Sequence, residues 1–288
     1  MLKNSIANTN RKIRPKDFIL KFLIYFSAAV TTALLAAIFI YILIKGVPSI
    51  SWKFLSTEPS NLKQTVGILP AIINTLYIVV LTLIIAVPIG IGSAIFLSEY
   101  AKKGKLVRLI EFTTETLSGI PSIVYGLFGA IFFGTILHLG YSLLTGALTL
   151  AIIVLPIIIR TTQEAMKTVP QIYREGALGM GATKWYMIRT IILPSSLPGI
   201  ITSVILSIGR MVGESAALIF TAGIGAKLPK NILTHAMHSG ATLTVQMYEY
   251  ASRGVNYGQV YAIAVVLMVI VLCINTLTKY ISSKMKKG

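Results

Sequence analysis

Along this chain of 288 residues, uncharged stretches long enough to cross a lipid bilayer alternate with short segments that hold nearly all of the charge. A helix needs about 20 apolar residues, rising 1.5 Å each, to cross roughly 30 Å of hydrocarbon. Residues 22–44 supply one such stretch, 64–98 a second, and 116–159 is long enough for two; 190–209 opens another that continues past Arg210, and 254–278 closes the series. The pattern predicts an all-α integral membrane protein with six transmembrane helices. Pro70, Pro88, Gly90 and Gly92 interrupt the second stretch, and Gly119-Ile120-Pro121 and Gly126 the third. Neighbouring helices or trapped water must satisfy the carbonyls that such residues free. Small residues four apart, Gly209 with Gly213 and Ser118 with Ser122, predict close helix–helix approach.

Composition agrees with the pattern: 55% of residues are hydrophobic and 12% charged, against about 25% charged in soluble domains. Charge then orients the chain. Nineteen lysines and arginines fall on one side: six before residue 22, Lys102, Lys103, Lys105 and Arg108, Arg160, Lys167, Arg174, Lys184 and Arg189, and Lys279, Lys284, Lys286 and Lys287. Six fall on the other, namely Lys45, Lys53, Lys63, Lys227, Lys230 and Arg253. Both termini and the segment around residue 180 are therefore expected in the cytoplasm. This asymmetry, with anionic headgroups, accounts for most of the net charge of +17 without nucleic acid. Residues 1–21 read as a disordered basic tail. The first apolar run is too long for a cleaved leader. Cys273, the single cysteine, reads as a packing residue within the last span. Trp52, Tyr248 and Tyr250 lie in the outer loops and suit interfacial anchoring.

Two places carry more than bundle packing. Residues 175–194, EGALGMGATKWYMIRTIILP, form a Gly/Ala-rich polar loop between apolar stretches. An ordinary helix–turn–helix connection would also use Gly and Ala as turn and cap residues. Further on, Ile208-Gly209-Arg210-Met211-Val212-Gly213-Glu214-Ser215 puts an arginine and a glutamate inside a span. Arg210 is sixteen residues beyond Pro194, about 24 Å along an unbroken helix. A charge at that depth costs about 2.5–3.5 kcal/mol on insertion scales, so it faces a cavity or a partner. Arg210 and Glu214 are four apart, on one helical face, and can form an ion pair, which would suffice as a structural pair. Glu111 and Glu115 read as interfacial carboxylates. His-x-x-His at His235 and His238 lacks the further Cys, Asp or Glu of a metal site. No G-x-x-x-x-G-K-[ST] occurs, so any ATP is hydrolysed on another chain.

The 175–194 loop resembles the docking loop of type I ABC importer permeases. GRMVGESAALIFTAG, with NTLYIVV, FLSEYA and GIPSIVYGLFG, is similar to the membrane subunits of bacterial phosphate importers, closest to their PstA branch. The resemblance runs from about residue 64 to 278. It implies the MetI-like permease fold, with a core at 64–279 that includes an ATPase-docking loop at 167–194; the first helix at 22–44 and the basic tails at 1–21 and 280–288 are read from the apolar and charge pattern alone. It implies a bacterial cytoplasmic membrane location, a second PstC-like permease, a PstB-like ATPase dimer carrying ATP and Mg²⁺, and an external PstS-like phosphate-binding protein. No cofactor is expected on this chain, nor catalysis. Glu175, Ala177, Gly181 and Ala182 map to ATPase docking, with Gly176 replacing the family's commoner Ala. Arg210 and Glu214 map to the residues implicated in phosphate passage.

Chemistry gives phosphate some support of its own. A guanidinium offers a fork of donors to a tetrahedral oxyanion. Glu214 could accept a hydrogen bond from protonated phosphate while repelling sulfate, or could neutralise Arg210 until substrate competes; the residues do not choose. Another oxyanion, such as molybdate, sulfate or a phosphonate, fits the same architecture. An ion-coupled carrier is disfavoured because no inverted repeat is evident, and a membrane enzyme because no nucleophile–base set lies in the spans.

Overall fold

The computed structural model describes residues 15–59, 66–102, 104–226, 228, 231–254 and 257–285. Among these residues the secondary structure is entirely helical. The long elements are α1 (Pro15–Gly46), α3 (Leu69–Ile95), α6 (Leu143–Lys167), α9 (Leu193–Val212) and α13 (Tyr257–Met285). Shorter ones are α2 (Trp52–Ser56), α4 (Lys105–Ser118), α5 (Ser122–Gly129), α7 (Gln171–Gly179), α8 (Lys184–Met187), α10 (Ala216–Thr221), α11 (Ile232–His235) and α12 (Leu243–Ser252). π-Helical turns prolong α3 through Phe96–Tyr100 and α5 through Ala130–Ile136, and join α8 to α9 through Ile188–Ile192.

Five helical segments are long and apolar enough to cross a membrane, matching the expected spans at 22–44, 64–98, 190–209 and 254–278 and the second half of 116–159. The stretch expected to hold the remaining crossing is not one straight helix. α4 and the α5 segment meet at 101° across Gly119-Ile120-Pro121, because Pro121 lacks an N–H and pushes Ile120 out of the helical region. The first helix also reaches further back than expected, being helical already at Pro15. Residues 15–21 of the expected disordered tail are thus helical, and residues 1–14 lie outside the described residues. At the other end α13 runs on to Met285, so most of the 280–288 tail is helical as well.

α6 is the central post of the bundle, packed chiefly against α3 and α9. Leu150, Val154 and Ile158 are fully buried along it. Two glycines show how closely its neighbours approach: a Cβ at Gly90 of α3 would lie 2.6 Å from Ile158 Cγ2, and one at Gly199 of α9 only 2.2 Å from Ala165 Cβ. α10 packs on α5 in the same way, with Gly126 facing the Ala217 backbone. Gly209 and Gly213 differ: no atom of another element lies within 4 Å of a Cβ built on either. They are not packing notches within this chain. α1 leans chiefly on α13, with Gly46 against Tyr261, and among the described residues is largely exposed.

At the end of the bundle where α6 begins, polar side chains knit α3 to α11 and α12. Asn74 donates to the Ala241 carbonyl at 3.1 Å and accepts from His235 Nε2 at 2.7 Å, while Thr75 Oγ1 accepts from the Leu243 N–H at 2.9 Å. Tyr250 is buried in a cluster with Phe54, Ile68 and Leu243, so it is a core residue rather than an interfacial anchor. Trp52 and Tyr248 remain exposed. Cys273 is exposed too, which corrects its reading as a packed residue.

Candidate functional site

α9 presents two faces. Ser196, Ser203, Ser207, Ile208 and Met211 point into the bundle, whereas Thr202, Leu206, Gly209, Arg210 and Gly213 are exposed. Arg210 therefore lies on an open, small-residue strip, with its side chain 49% exposed. The helix is unbroken from Leu193 to Val212, so the estimate of about 24 Å between Pro194 and Arg210 stands. A guanidinium so placed cannot rest against acyl chains; it needs water or another polypeptide.

Glu214 lies just beyond the helix end, in the break between α9 and α10, instead of one turn further along the same helix. Its side chain is 7% exposed. Oε1 accepts the Ala217 N–H at 3.2 Å, satisfying one of the free donors at the start of α10. Its carbonyl accepts from Thr244 Oγ1 at 2.8 Å. The remaining oxygen, Oε2, is 3.9 Å from Arg210 Nη2. That is an ion pair without a hydrogen bond, since charge-assisted bonds are about 2.7–2.9 Å long. Glu214 is anchored, while Arg210 keeps donors for another acceptor.

The Gly/Ala-rich loop folds as α7, a tight turn and α8. Gly181 has φ +82°, a conformation glycine adopts without strain. The Ala182 N–H reaches back to the Ala177 carbonyl and the Gly181 N–H to that of Leu178, both at 3.0 Å. These two bonds close α7 as a Schellman motif. Thr183 caps α8 by accepting from the Tyr186 N–H. Glu175, Gly176 and Gly181 are exposed, Ala182 is half-buried, and Ala177 turns inward against a cluster of Met166, Val169, Met187, Ile188 and Ile192. Of the four residues expected at a docking surface, Ala177 thus contributes to the foundation of the loop.

Two polar groupings escaped sequence reasoning. Arg174 pairs with Glu99, 75 residues away, under side-chain exposures of 14% and 8%. The only local hint was a charged residue closing an apolar run. A cavity of about 180 Å³ lies between α4 and α6, lined by Glu111, Glu115, Arg160, Gln163, Glu164 and Lys167. There Arg160 Nη1 meets Glu115 Oε1 at 3.2 Å with both side chains well exposed. His235 is committed to Asn74, and no group of three or more His, Cys, Asp or Glu able to hold a metal occurs among the described residues.

A helical bundle with an exposed charged face on one spanning helix and an exposed capped loop at one end is the form of a transport subunit built to be completed by other chains. The sequence model for the binding-protein-dependent transport system inner membrane component matches residues 86–287, and the chain belongs to that family. It is an all-α, multi-pass permease subunit of an ABC importer. Relatives include a probable ABC transporter permease protein, YqgI, of Bacillus subtilis, 40% identical over 197 residues covering 68% of this chain and 67% of its own. The phosphate transport system permease protein PstA of Xylella fastidiosa is 33% identical over 262 residues, 86% of this chain and 89% of that one. Among solved structures, a chain of a bacterial alginate ABC transporter superposes with a TM-score of 0.70 at 17% identity, covering 95% of this chain and 97% of its own. A chain of the MetNI methionine ABC transporter gives 0.60 at 21%, covering 76% and 94%. At such identities the structures speak for the fold alone.

Proposed function

We propose that this chain forms one half of the membrane pathway for inorganic phosphate in an ATP-driven importer. The observation that carries this reading is Arg210: a guanidinium half-exposed on the small-residue face of a spanning helix, with its nearest carboxylate held at 3.9 Å by other bonds. A second, similar permease closes that face, so the arginine lines a water-filled path at their junction. The 31–37% identity to proteins named as PstA phosphate permeases supports phosphate as the cargo. Phosphate accepts from the Arg210 fork, and its residual proton can be donated to Glu214, which sulfate cannot do.

In this reading α7 and α8 dock on an ATPase dimer that holds ATP and Mg²⁺, with Glu175, Gly181 and Ala182 facing the partner and Ala177 beneath them. The loop and both termini lie in the cytoplasm, as the 19-to-6 distribution of basic residues supports. An external binding protein delivers the anion to the opposite end. The test is uptake by proteoliposomes holding the whole complex, supplied in turn with phosphate, sulfate and molybdate. ATP-dependent accumulation of phosphate alone is expected. Accumulation of sulfate or molybdate in its place would assign the path to another oxyanion, and uptake without any ATPase would remove the chain from this mechanism.

A further inference from the structure

Resting on the docking reading, we infer that Arg174 and Glu99 are positioning residues that lock the docking loop to α3, so that a displacement of the loop is delivered to the span. Arg174 stands on α7, the first helix of the loop. Its Nε and Nη2 donate to Glu99 Oε1 at 3.2 and 3.1 Å, its Nη1 to the Val169 carbonyl at 2.6 Å, and its Nη2 also to the Met166 carbonyl at 2.8 Å. Met166 and Val169 flank the end of α6, where carbonyls have no partner within the helix. One guanidinium thus fastens three elements: α7, the C-terminus of α6 and the end of α3.

The far side of this joint is reinforced by α8. Lys184 Nζ donates to the Glu99 carbonyl at 3.1 Å and lies 5.7 Å from the centre of the Tyr100 ring. Both loop helices therefore grip Glu99, and α8 reaches Tyr100 as well. Those residues belong to the π-helical turn Phe96–Tyr100, where the regular ladder of α3 gives way. Ser98 Oγ, next to Glu99, is buried without a hydrogen-bond partner among the described residues. The turn closes on itself through the Ala101 N–H to Phe96 carbonyl bond at 2.8 Å, and the loop's side chains add its polar contacts to α7 and α8. Met187 of α8 also packs with Met166, Val169, Ile188 and Ile192 in an apolar pad, whose contacts are non-directional. The pair supplies the direction the pad lacks, because a planar guanidinium with four of its donor contacts fixed cannot pivot.

The experiment uses the complete complex in proteoliposomes, in a Cys273→Ser background. An apolar replacement of the pair, Glu99→Leu with Arg174→Met, removes both charges together and leaves neither one buried alone. Arg174→Lys keeps the charge and loses the fork. The readout is ATP hydrolysed per phosphate imported, normalised to assembled complex, beside cross-linking of Glu175→Cys to the ATPase. The inference expects cross-linking and assembly as in the unaltered complex, with the ATP-to-phosphate ratio raised about three- to thirty-fold in the double variant and less in Arg174→Lys, within the range of coupling energies for such networks. Assembly and ratio both unchanged would overturn it while leaving docking intact. A lower yield of complex with an unchanged ratio would overturn it too, by making the pair merely structural. Absence of the Glu175→Cys cross-link in the otherwise unaltered complex would overturn the docking reading itself, and the inference with it.

Discussion

Arg174 commits four donor contacts to Glu99 and to the carbonyls of Met166 and Val169, whereas Arg210 approaches Glu214 only to 3.9 Å and leaves half its side chain open. Both are arginine–glutamate pairs in one bundle, and both draw a carboxylate from an element's end. The first is nearly spent: four N–H contacts of the guanidinium are engaged, only one Nη1 N–H is left over, and removing one partner would strand the other at a cost of about 3–5 kcal/mol. The second is unsaturated on the arginine side, because Glu214 has already given Oε1 to the Ala217 N–H. The difference separates a pair closed on its own chain from one that keeps donors open, as a joint and a binding group respectively would require, and it is visible only in the hydrogen bonds.

The sharpest way to break that comparison is Arg210→Gln. Loss of two charge-assisted hydrogen bonds, about 3 kcal/mol together, should lower phosphate uptake on the order of a hundredfold. Assembly and ATP hydrolysis should persist, because the side chain is not packed in the bundle. Arg210→Lys should recover only part of the uptake. If Arg210→Met with Glu214→Leu restored uptake to the unaltered rate, the unsaturated pair would be structural after all.

Gly181→Trp comes next. A Cβ there meets no atom of the described residues within 4 Å, so a large side chain projects outward from the loop. Uptake and retention of the ATPase should fall at least about tenfold, since a bulky clash in a tight interface exceeds 1.4 kcal/mol. Gly181→Ala carries the same φ +82° strain without the bulk, and should lose far less in a pull-down of the ATPase. Equal losses in the two variants would assign the effect to backbone strain.

Glu214→Gln should act more gently. The amide oxygen still accepts the Ala217 N–H, so α10 stays capped while the charge disappears. Uptake should drop a few-fold, and preference for phosphate over sulfate should narrow, as measured by competition. Glu214→Ala should additionally lower thermal stability, by about 1 kcal/mol for a lost cap. An unchanged phosphate-to-sulfate ratio in Glu214→Gln would leave the carboxylate a cap and a counter-ion only.

The smallest effect concerns His235, whose burial, and secondarily the neighbouring His238, hold its pKa below the ordinary histidine value near 6.5. Its other neighbours are the amide of Asn74 and the ring edge of Tyr77. The unfolded chain then binds the proton more readily than the folded one, so stability rises with pH through this window. The His235 contribution is complete above about pH 6.5 and is lost as pH falls through the lower folded-state value. Thermal unfolding in detergent should show a decline on acidification that His235→Asn reduces; an identical decline in that variant would place the titration elsewhere.

Spans were readable because the property that creates them, a long run without charge, is written contiguously in the chain. The turn at Gly181 was readable for a similar reason, since a single residue supplies the left-handed backbone that closes α7. What needed coordinates was pairing across distance. Nothing local to FLSEY announces that Glu99 meets a residue 75 positions on. The Gly119-Ile120-Pro121 break was legible as a break, but its 101° was not, because direction depends on what α4 and α5 each pack against. Gly209 and Gly213 had the spacing of a packing motif, yet no other element among the described residues comes within 4 Å of a Cβ built there. Spacing cannot distinguish a notch that is filled from one that waits to be filled. Tyr250 misled for the complementary reason: an aromatic in a loop suits an interface, and the fold of α12 over α3 had already claimed it.

The open strip around Arg210 also bears on the life of the polypeptide before it has partners. An isolated copy in the bilayer must either hold water against that guanidinium or thin the membrane around it, at about 2.5–3.5 kcal/mol on insertion scales. Contact with a mate removes that burden at once. If a second permease covers that strip, as proposed, the same charge that would greet an anion makes solitude unfavourable, and the abundance of unmated copies would follow the rate at which the other half is synthesised.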